Sequence, residues 1–454
     1  MVNVCVKDIV EATGGRLLCG DEATPILNVC TDSRTAKEGD IFIPLIGERN
    51  DAHVFIEDVL TKAAATLTSE HDEIKADKPY IRVDDTLVAL QQIGRMMRDR
   101  CEMPFIGVTG SVGKTTTREM ISHALASCID VYHTKGNLNS QVGVPITLSG
   151  VDQKAKVSVI EMGMSEPGQM DRLSYLVRPD ICVVTVIGVA HIEYLKTQEN
   201  IRREKLSIVN HMNPDGALFL CGDDKMLAEI KDTPVIDKTF YYGTEEWCDY
   251  RAENIHQDGY RYAYDYVHGD KKVSVLLNSL GRHNVLNSLV ALAIVDYMGL
   301  DVEKAAASFA DFRGLRLRMH VVPGRYTIID DTYNASPDSM KSAIDVLSDI
   351  KTDGKKFLVL GDMFELGENS VQYHEEVGRY ILDKDIDKLI VVGDLAQHIM
   401  KVVKEGNNNI ECCHLKDNTE VGLFLLADMK PEDIVLLKGS NGMHLNEIVN
   451  TIMG

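Results

Sequence analysis

Short apolar runs rich in β-branched residues recur along the chain with helical periodicity between them. Pro104-Phe-Ile-Gly-Val108, Val157-Ser-Val-Ile-Glu161 and Ile181-Cys-Val-Val-Thr-Val-Ile187 are continuous rather than alternating, which predicts strands buried on both faces inside a parallel sheet. The helical stretches between them predict βαβ units. After a boundary near 314–323 the alternation returns, with Tyr326-Thr-Ile-Ile-Asp330, Lys356-Phe-Leu-Val-Leu360, Lys388-Leu-Ile-Val-Val392 and Asp433-Ile-Val-Leu-Leu437 separated by helical stretches such as 336–350 and 370–383. That is a second doubly wound unit. Ahead of both, residues 1 to about 100 mix shorter runs such as Asp40-Ile-Phe-Ile-Pro-Leu-Ile46 with helical patterns near 53–65 and 86–99. The expected fold class is α/β in three domains, 1–100, 101–315 and 316–454: a smaller N-terminal α/β unit, a central one with a mainly parallel sheet, and a Rossmann-like C-terminal one. The length of 454 residues agrees, at about 150 residues per domain.

Composition narrows the function classes. An apolar share of 44% supports packed cores and excludes a disordered chain. Lys and Arg total 48 against 69 Asp and Glu, a net charge of −21. That argues against nucleic acid or an acidic membrane surface as partner. An anionic substrate must be held by a few local cations and backbone N–H groups. The opening MVNVCVKDIVEATGG lacks a basic region followed by an apolar core, and the run from Ile181 to Ala190 is about half of the ~20 residues that span a bilayer. Ten cysteines without a C-x-x-C pair fit reduced thiols. A cytoplasmic protein is expected.

The sharpest motif is Gly107-Val-Thr-Gly-Ser-Val-Gly-Lys-Thr-Thr-Thr117, between a predicted strand and the helical pattern Arg118-Glu-Met-Ile-Ser-His-Ala-Leu125. Glycines let backbone N–H groups face a phosphate, Lys114 neutralises its charge, and Thr115 offers a hydroxyl to Mg²⁺. Val108 stands where the usual pattern has a first glycine, so this is a shortened variant with Gly110, Gly113, Lys114 and Thr115 in place. It predicts an ATP site, lined by Thr109, Gly110, Ser111, Val112, Gly113, Lys114, Thr115 and Thr116. Further metal ligands are sought at the ends of neighbouring strands. Glu161 ends the strand 157–160, His191 follows the strand 181–187, and Lys205 lies in Arg202-Arg-Glu-Lys-Leu206.

With these residues the chain resembles the Mur ligases of peptidoglycan synthesis, in their dipeptide-adding branch. The resemblance runs from Thr31-Asp-Ser-Arg34 to Lys438-Gly-Ser440. It takes in Gly136-Asn-Leu-Asn-Ser-Gln-Val-Gly-Val-Pro145, Glu161-Met-Gly-Met164, Ala190-His191, Gly281-Arg-His-Asn-Val-Leu-Asn287, Asp330-Asp-Thr-Tyr-Asn334 and Gly361-Asp-Met-Phe-Glu-Leu-Gly367. Each motif is weak alone; the order and spacing make the set specific.

The resemblance implies an ATP-dependent ligase. It would phosphorylate the terminal carboxylate of UDP-N-acetylmuramoyl-tripeptide, and D-Ala-D-Ala would then capture the acyl phosphate, with two Mg²⁺ neutralising the crowded anions. By the same resemblance Lys114, Lys205 and His191 are catalytic. Thr115 and Glu161 hold the first Mg²⁺, His191 joins the second, and Lys205 is a carbamylated lysine supplying an oxygen ligand. Asn284 and Asn287, spaced i, i+3 on one helix face, contact adenine. Arg318 reaches the phosphates from the third domain, with Asp331 at the ribose and Tyr333 beside it. Ser33 and Arg34 meet the uridine end of the nucleotide, and Asn137 and Asn139 the muramoyl-peptide. A monomer is implied.

Three positions depart from the family pattern: Ser336 for the second Asn of Tyr-Asn-Ala-Asn-Pro, Asn441 for the Arg of Lys-Gly-Ser-Arg, and Ala52 for a Gly before His53. Two other readings stand beside this one. One is another ligase of the family adding single amino acids, or folylpolyglutamate synthase. Against it, Gly110-Ser-Val-Gly-Lys-Thr115 replaces their usual Gly-Thr-Asn-Gly-Lys-Thr, and the Asp-Asn-Pro-Arg selector of the diaminopimelate-adding member is missing. The other is a P-loop ATPase or UDP-sugar sensor that does not ligate. The identity of the third peptide residue, diaminopimelate or lysine, is not encoded in any of these motifs.

Overall fold

A computed structural model describes residues 1–47, 50–72, 77–322, 324–406 and 409–453; Pro323, at the expected domain boundary, lies outside them. Three sheets form in chain order. The first has five strands, ordered Arg16–Cys19, Tyr80–Arg82, Ala65–Thr68, Asp40–Phe42, Asn28–Cys30, parallel except for the Arg16–Cys19 edge. The helical pattern expected at 53–65 is shorter here. A single turn at Ala52–Phe55 leads into Ile56–Leu60, and the chain then returns to strand at Ala65–Thr68, where Thr-Leu-Thr favours the pleated surface over a helix.

The helix Thr86–Asp99 belongs to the first sheet by its inner residues Ala89, Leu90, Ile93 and Met97. Its other side packs on the central-domain helices Gly143–Ser149 and Gln169–Val177. Gly94 permits this, since a Cβ there would lie 2.8 Å from Pro145. Arg98 is a buried peg in the same seam. Its guanidinium donates to the carbonyls of Val177 (2.6 Å), Cys101 (3.2 Å) and Arg178 (3.0 Å) and lies over the Phe105 ring.

The central sheet has nine strands. From Val131–His133 through Val157–Glu161, Phe105–Thr109, Ile181–Val184, Ala217–Cys221 and Thr239–Gly243 to Tyr250–Asp258 every pairing is parallel. Arg261–His268 and Lys271–Leu277 extend it antiparallel. There Tyr262, Tyr264 and Tyr266 turn inward and alternate with more exposed neighbours, as expected of antiparallel strands covered on one face. The buried helix Arg282–Tyr297 packs beside the helix Lys114–Ala126, placing Asn284 and Asn287 near the phosphate-binding motif.

The third sheet has six strands, ordered His320–Val322, Thr327–Asp331, Ile434–Lys438, Lys356–Leu360, Lys388–Val392, Glu411–Leu415, parallel but for the first. Ile329, Leu436, Leu358 and Leu389 fill the core on one face, and Ile328, Val435, Phe357 and Ile390 the core on the other. Burial on both sides is why these strands read as unbroken apolar runs. The described cysteines are free thiols, and no described helix is long and apolar enough to cross a membrane.

Candidate active site

In the central sheet the parallel strands end at one edge, where ligand-binding loops of open α/β sheets gather. The strand Phe105–Thr109 stops at Gly110 and the helix Lys114–Ala126 begins four residues later. Gly110 has φ +151°, and a Cβ there would fall 1.8 Å from Thr185 Oγ1; Gly113, at φ +86°, turns the chain into the helix. The strand expected to run to Ile187 ends at Val184 because the next residues serve this loop. Thr185 Oγ1 donates to the Val112 carbonyl (2.6 Å), and Ser111 N–H donates to the Val186 carbonyl (2.8 Å). Lys114 Nζ folds back to donate to the carbonyls of Gly110 (2.8 Å) and Ser111 (3.4 Å). Burial pushes its ammonium below the usual lysine range; Glu161 pulls it up, and the charge of Arg318 across the cleft pushes it down. A half-buried cation whose hydrogen bonds all go to carbonyl oxygens is short of counter-charge, which a phosphate supplies.

Beside it Glu161 is fully buried. Its Oε1 accepts from Thr115 Oγ1 (3.0 Å) and from Asn139 Nδ2 (2.6 Å). Its Oε2 has no hydrogen-bond partner among the described residues and sits 3.6 Å from Arg118 Nε. A hydroxyl next to a carboxylate with an orphaned oxygen is a donor set suited to a hard divalent cation, so the residues present fit Mg²⁺. Lys205, on the helix Gln198–Leu206, lies beneath the loop, buried, and donates from Nζ to the Gly110 carbonyl (3.0 Å). Burial, reinforced by the charge of Lys114, pushes its amine well below the ordinary lysine value.

The third domain forms the opposite wall. The Arg318 guanidinium stacks on the Tyr333 ring at 3.9 Å, flanked by left-handed backbone at Leu317 (φ +65°) and Met319 (φ +48°). Asp331 accepts from Met319 N–H (3.2 Å) and is gripped by Lys438 Nζ (2.6 Å), which also donates to the Asn334 carbonyl (2.8 Å). His191 and Glu365 meet across the domain boundary, Nδ1 to Oε2 at 2.7 Å, each at positive φ (+63° and +60°). The imidazole beside it holds the Glu365 carboxyl below the usual range.

Ser111 to Thr116, Asn139, Glu161, His191, Asn284, Asn287, Arg318, Asp331 and Tyr333 thus line one cavity of about 760 Å³. Thr109, Gly110 and Lys205 lie behind its wall. Asn284 and Asn287 are mutually engaged in this structure: Asn287 Nδ2 donates to Asn284 Oδ1 (2.9 Å), and Asn287 Oδ1 accepts from Thr117 (2.9 Å). Three further expected residues lie away from the cavity altogether. Asn137 is exposed, while Ser33 and Arg34 sit on the first domain by a smaller hollow lined by Thr31, Asp32 and Lys37. There the Arg34 guanidinium is paired with Asp32 (2.9 and 2.7 Å).

Of the departures, Ser336 is the N-cap of the helix Pro337–Asp349 in a capping box with Ser339, a role for which its hydroxyl suffices. Asn441 lines the cavity without charge. Ala52 opens the turn that buries His53 against Asp51. Sequence reasoning missed the Lys438–Asp331 pair, Glu365, and Asp338. The last has a buried Oδ2 without a hydrogen-bond partner, placed so that a Cβ on Gly188 would approach it to 2.2 Å.

Comparison with known proteins places this arrangement. The Mur ligase middle domain matches residues 108–295, and the Mur ligase glutamate ligase domain matches residues 317–441. The chain is 34% identical to the UDP-N-acetylmuramoyl-tripeptide–D-alanyl-D-alanine ligase of Bacillus subtilis, over 100% of this chain and 99% of that protein. It is 28% identical to the ligase of the same name from Escherichia coli, again over 100% and 99%. The crystal structure of MurF from Acinetobacter baumannii superposes with a TM-score of 0.90 at 29% identity, covering 99% of this chain and 98% of that one. MurF ligase from Thermotoga maritima in complex with ADP gives 0.83 at 27% identity, over 95% and 97%. With that likeness sustained from end to end in both sequence and fold, the chain belongs to the Mur ligase family, in its UDP-N-acetylmuramoyl-tripeptide–D-alanyl-D-alanine ligase branch.

Proposed function

We propose that this protein joins D-Ala-D-Ala to UDP-N-acetylmuramoyl-tripeptide at the expense of ATP, through an acyl phosphate. A carboxylate is a poor electrophile, and phosphorylation converts its oxygen into a leaving group. The γ-phosphoryl group passes to the tripeptide carboxylate, the dipeptide amine adds to the acyl carbon, and phosphate departs as the amide forms. The observation that carries this reading is the opposition, across one cavity, of the Lys114 loop and the third domain's Arg318, Asp331 and Tyr333. Two walls from different domains can grip ATP from both sides and bring the reactants together, from which much of the acceleration follows.

Within that reading Lys114 and the N-terminus of its helix hold the phosphates, and Arg318 neutralises them from the facing wall. Asn284 and Asn287 border adenine, and Asp331, steadied by Lys438, takes the ribose with Tyr333 beside it. Thr115 and Glu161 hold one Mg²⁺, and Asn139 fixes the carboxylate that does so. His191 and a carbamylated Lys205 hold a second. When bound, Mg²⁺ supplies charge neutralisation among the anionic reactants and polarises the phosphoryl group. Lys205 suits carbamylation because its buried amine, beside another cation, favours the neutral form that adds CO₂. Ser33, Arg34, Asn137 and Asn139 would read the UDP-muramoyl-peptide, and the enzyme would work as a cytoplasmic monomer.

The test is phosphate release across UDP-muramoyl-peptides of different lengths, with D-Ala-D-Ala against single amino acids. Release should require both the nucleotide-tripeptide and the dipeptide. Release indifferent to the dipeptide would overturn the reading in favour of a non-ligating ATPase.

A further inference from the structure

The loop Gly361–Gly367 is pinned at nearly every residue before Glu365. Gly361 N–H donates to the Lys438 carbonyl (2.9 Å), Met363 N–H to His374 Nε2 (3.0 Å) and Phe364 N–H to Ser440 Oγ (2.9 Å). Asp362 accepts from Ala396 N–H (2.7 Å) and Asp394 N–H (3.2 Å), so the loop is stapled to the next strand's exit as well. At the end of this rigid run Glu365 adopts φ +60°, a conformation a glutamate keeps only where its surroundings impose it. Such outliers cluster at functional sites. The consequence here is that the carboxylate is presented to the cavity, half-exposed, facing His191.

Charge in the cavity is sorted. Lys114 and Arg318 lie on the nucleotide side. Among the described third-domain carboxylates of the lining, Asp331 is matched by Lys438 and Asp338 is closed in against Gly188. Glu365 is paired with His191 on one side and remains half-exposed to the cavity on the other, and its neighbour Phe364 exposes an apolar ring, 44% accessible, to the same space. A dipeptide whose amino end is an ammonium beside a methyl group suits such a pairing: a carboxylate for the charge and an apolar surface for the methyl.

We propose that Glu365 is the residue that receives the ammonium of D-Ala-D-Ala and holds the amine on the His191 side of the cavity. This rests on the ligase reading above. Hydroxylamine, a small neutral nucleophile, separates the two, because it can trap the acyl phosphate as a hydroxamate without an ammonium anchor. With Glu365→Gln, the KM for D-Ala-D-Ala should rise about tenfold to a hundredfold, the scale for losing one charge-assisted hydrogen bond. ATP-dependent hydroxamate formation from UDP-N-acetylmuramoyl-tripeptide should fall by a far smaller factor than kcat/KM for the dipeptide, and its persistence shows that the variant is folded. Glu365→Asp, which keeps the charge, should recover part of the KM. An unchanged dipeptide KM in Glu365→Gln overturns the proposal. So does a fall of amide and hydroxamate formation by one common factor, which would make Glu365 only a brace for His191. If the wild-type protein forms neither amide nor hydroxamate, the ligase reading itself fails and this assignment falls with it.

Discussion

Lys438→Met removes an ammonium whose side chain is 4% exposed and leaves the Asp331 carboxylate, 12% exposed, without its cation. At 2.6 Å the direct attraction is about 6 kcal/mol at an effective dielectric of about 20. Part of that is offset in the wild type by desolvation of both ions, so breaking the pair from one side should cost about 3–5 kcal/mol. In a domain of this size that is a fall of roughly 9–15 °C in the melting transition of the third domain. The loss should also reach ATP, because Asp331 holds Met319 next to Arg318, and Lys438 holds Asn334 next to Tyr333. The KM for ATP should therefore rise with the loss of stability. The assay is differential scanning calorimetry of the full chain, with the double variant Lys438→Met, Asp331→Asn closing the cycle. The double variant should recover most of the stability, since it no longer buries a lone charge, but not the KM. A single variant melting within about 2 °C of wild type, below the ~1 kcal/mol scale, would refute the reasoning, as would a double variant no more stable than the single one.

Lys114→Ala should lower dipeptide-dependent phosphate release by at least about 10²–10³-fold, the scale for removing one preorganised charge from the reacting phosphoryl group; near-normal turnover would remove Lys114 from the site. Lys205→Ala should lose activity comparably and regain part of it in added formate or acetate, read as the dose dependence of the rate. The absence of rescue at every concentration would count against the carbamate. Asp296 carries a pH prediction. Burial raises its pKa, but Lys271, Tyr266 and His268 outweigh that and the net value is lowered. A depressed carboxyl stabilises the fold above the unfolded-state value and loses that contribution as pH falls through the folded value, so stability should decline below about pH 4. Asp296→Asn should flatten that acid limb in melts taken from pH 7 downward; an unaltered slope would deny the linkage.

The part of the site that is readable from sequence is the part built by local geometry. The loop from Gly110 to Thr115 carries its own turn chemistry, and Glu161 ends a strand that pairs directly with Phe105–Thr109, so parallel neighbours bring both to one sheet edge. The alternation of Tyr262, Tyr264 and Tyr266 likewise announces an antiparallel strand, although a reading keyed to continuous apolar runs passes over it. Contacts between segments far apart in the chain have no such signature. Lys438 reaches Asp331 across 107 positions, and His191 meets Glu365 only because two loops from different sheets face one cavity. No periodicity encodes either pair. Arg34 is a local case: Asp32, two positions away, pairs with its guanidinium in this structure.

The seam made by Gly94 and Arg98 has a mechanical corollary. That helix keys the first domain into the second, whereas the connection to the third domain around 313–319 carries left-handed backbone at Leu317 and Met319. Arg318 sits in that connection, stacked on Tyr333 and next to Met319, which Asp331 holds, so a rotation there would carry all three past Lys114 together. On the proposed ligase reading, the spacing of the two walls that would grip ATP is therefore set by one angle, and a small molecule wedged at 313–319 should slow turnover without competing with either substrate.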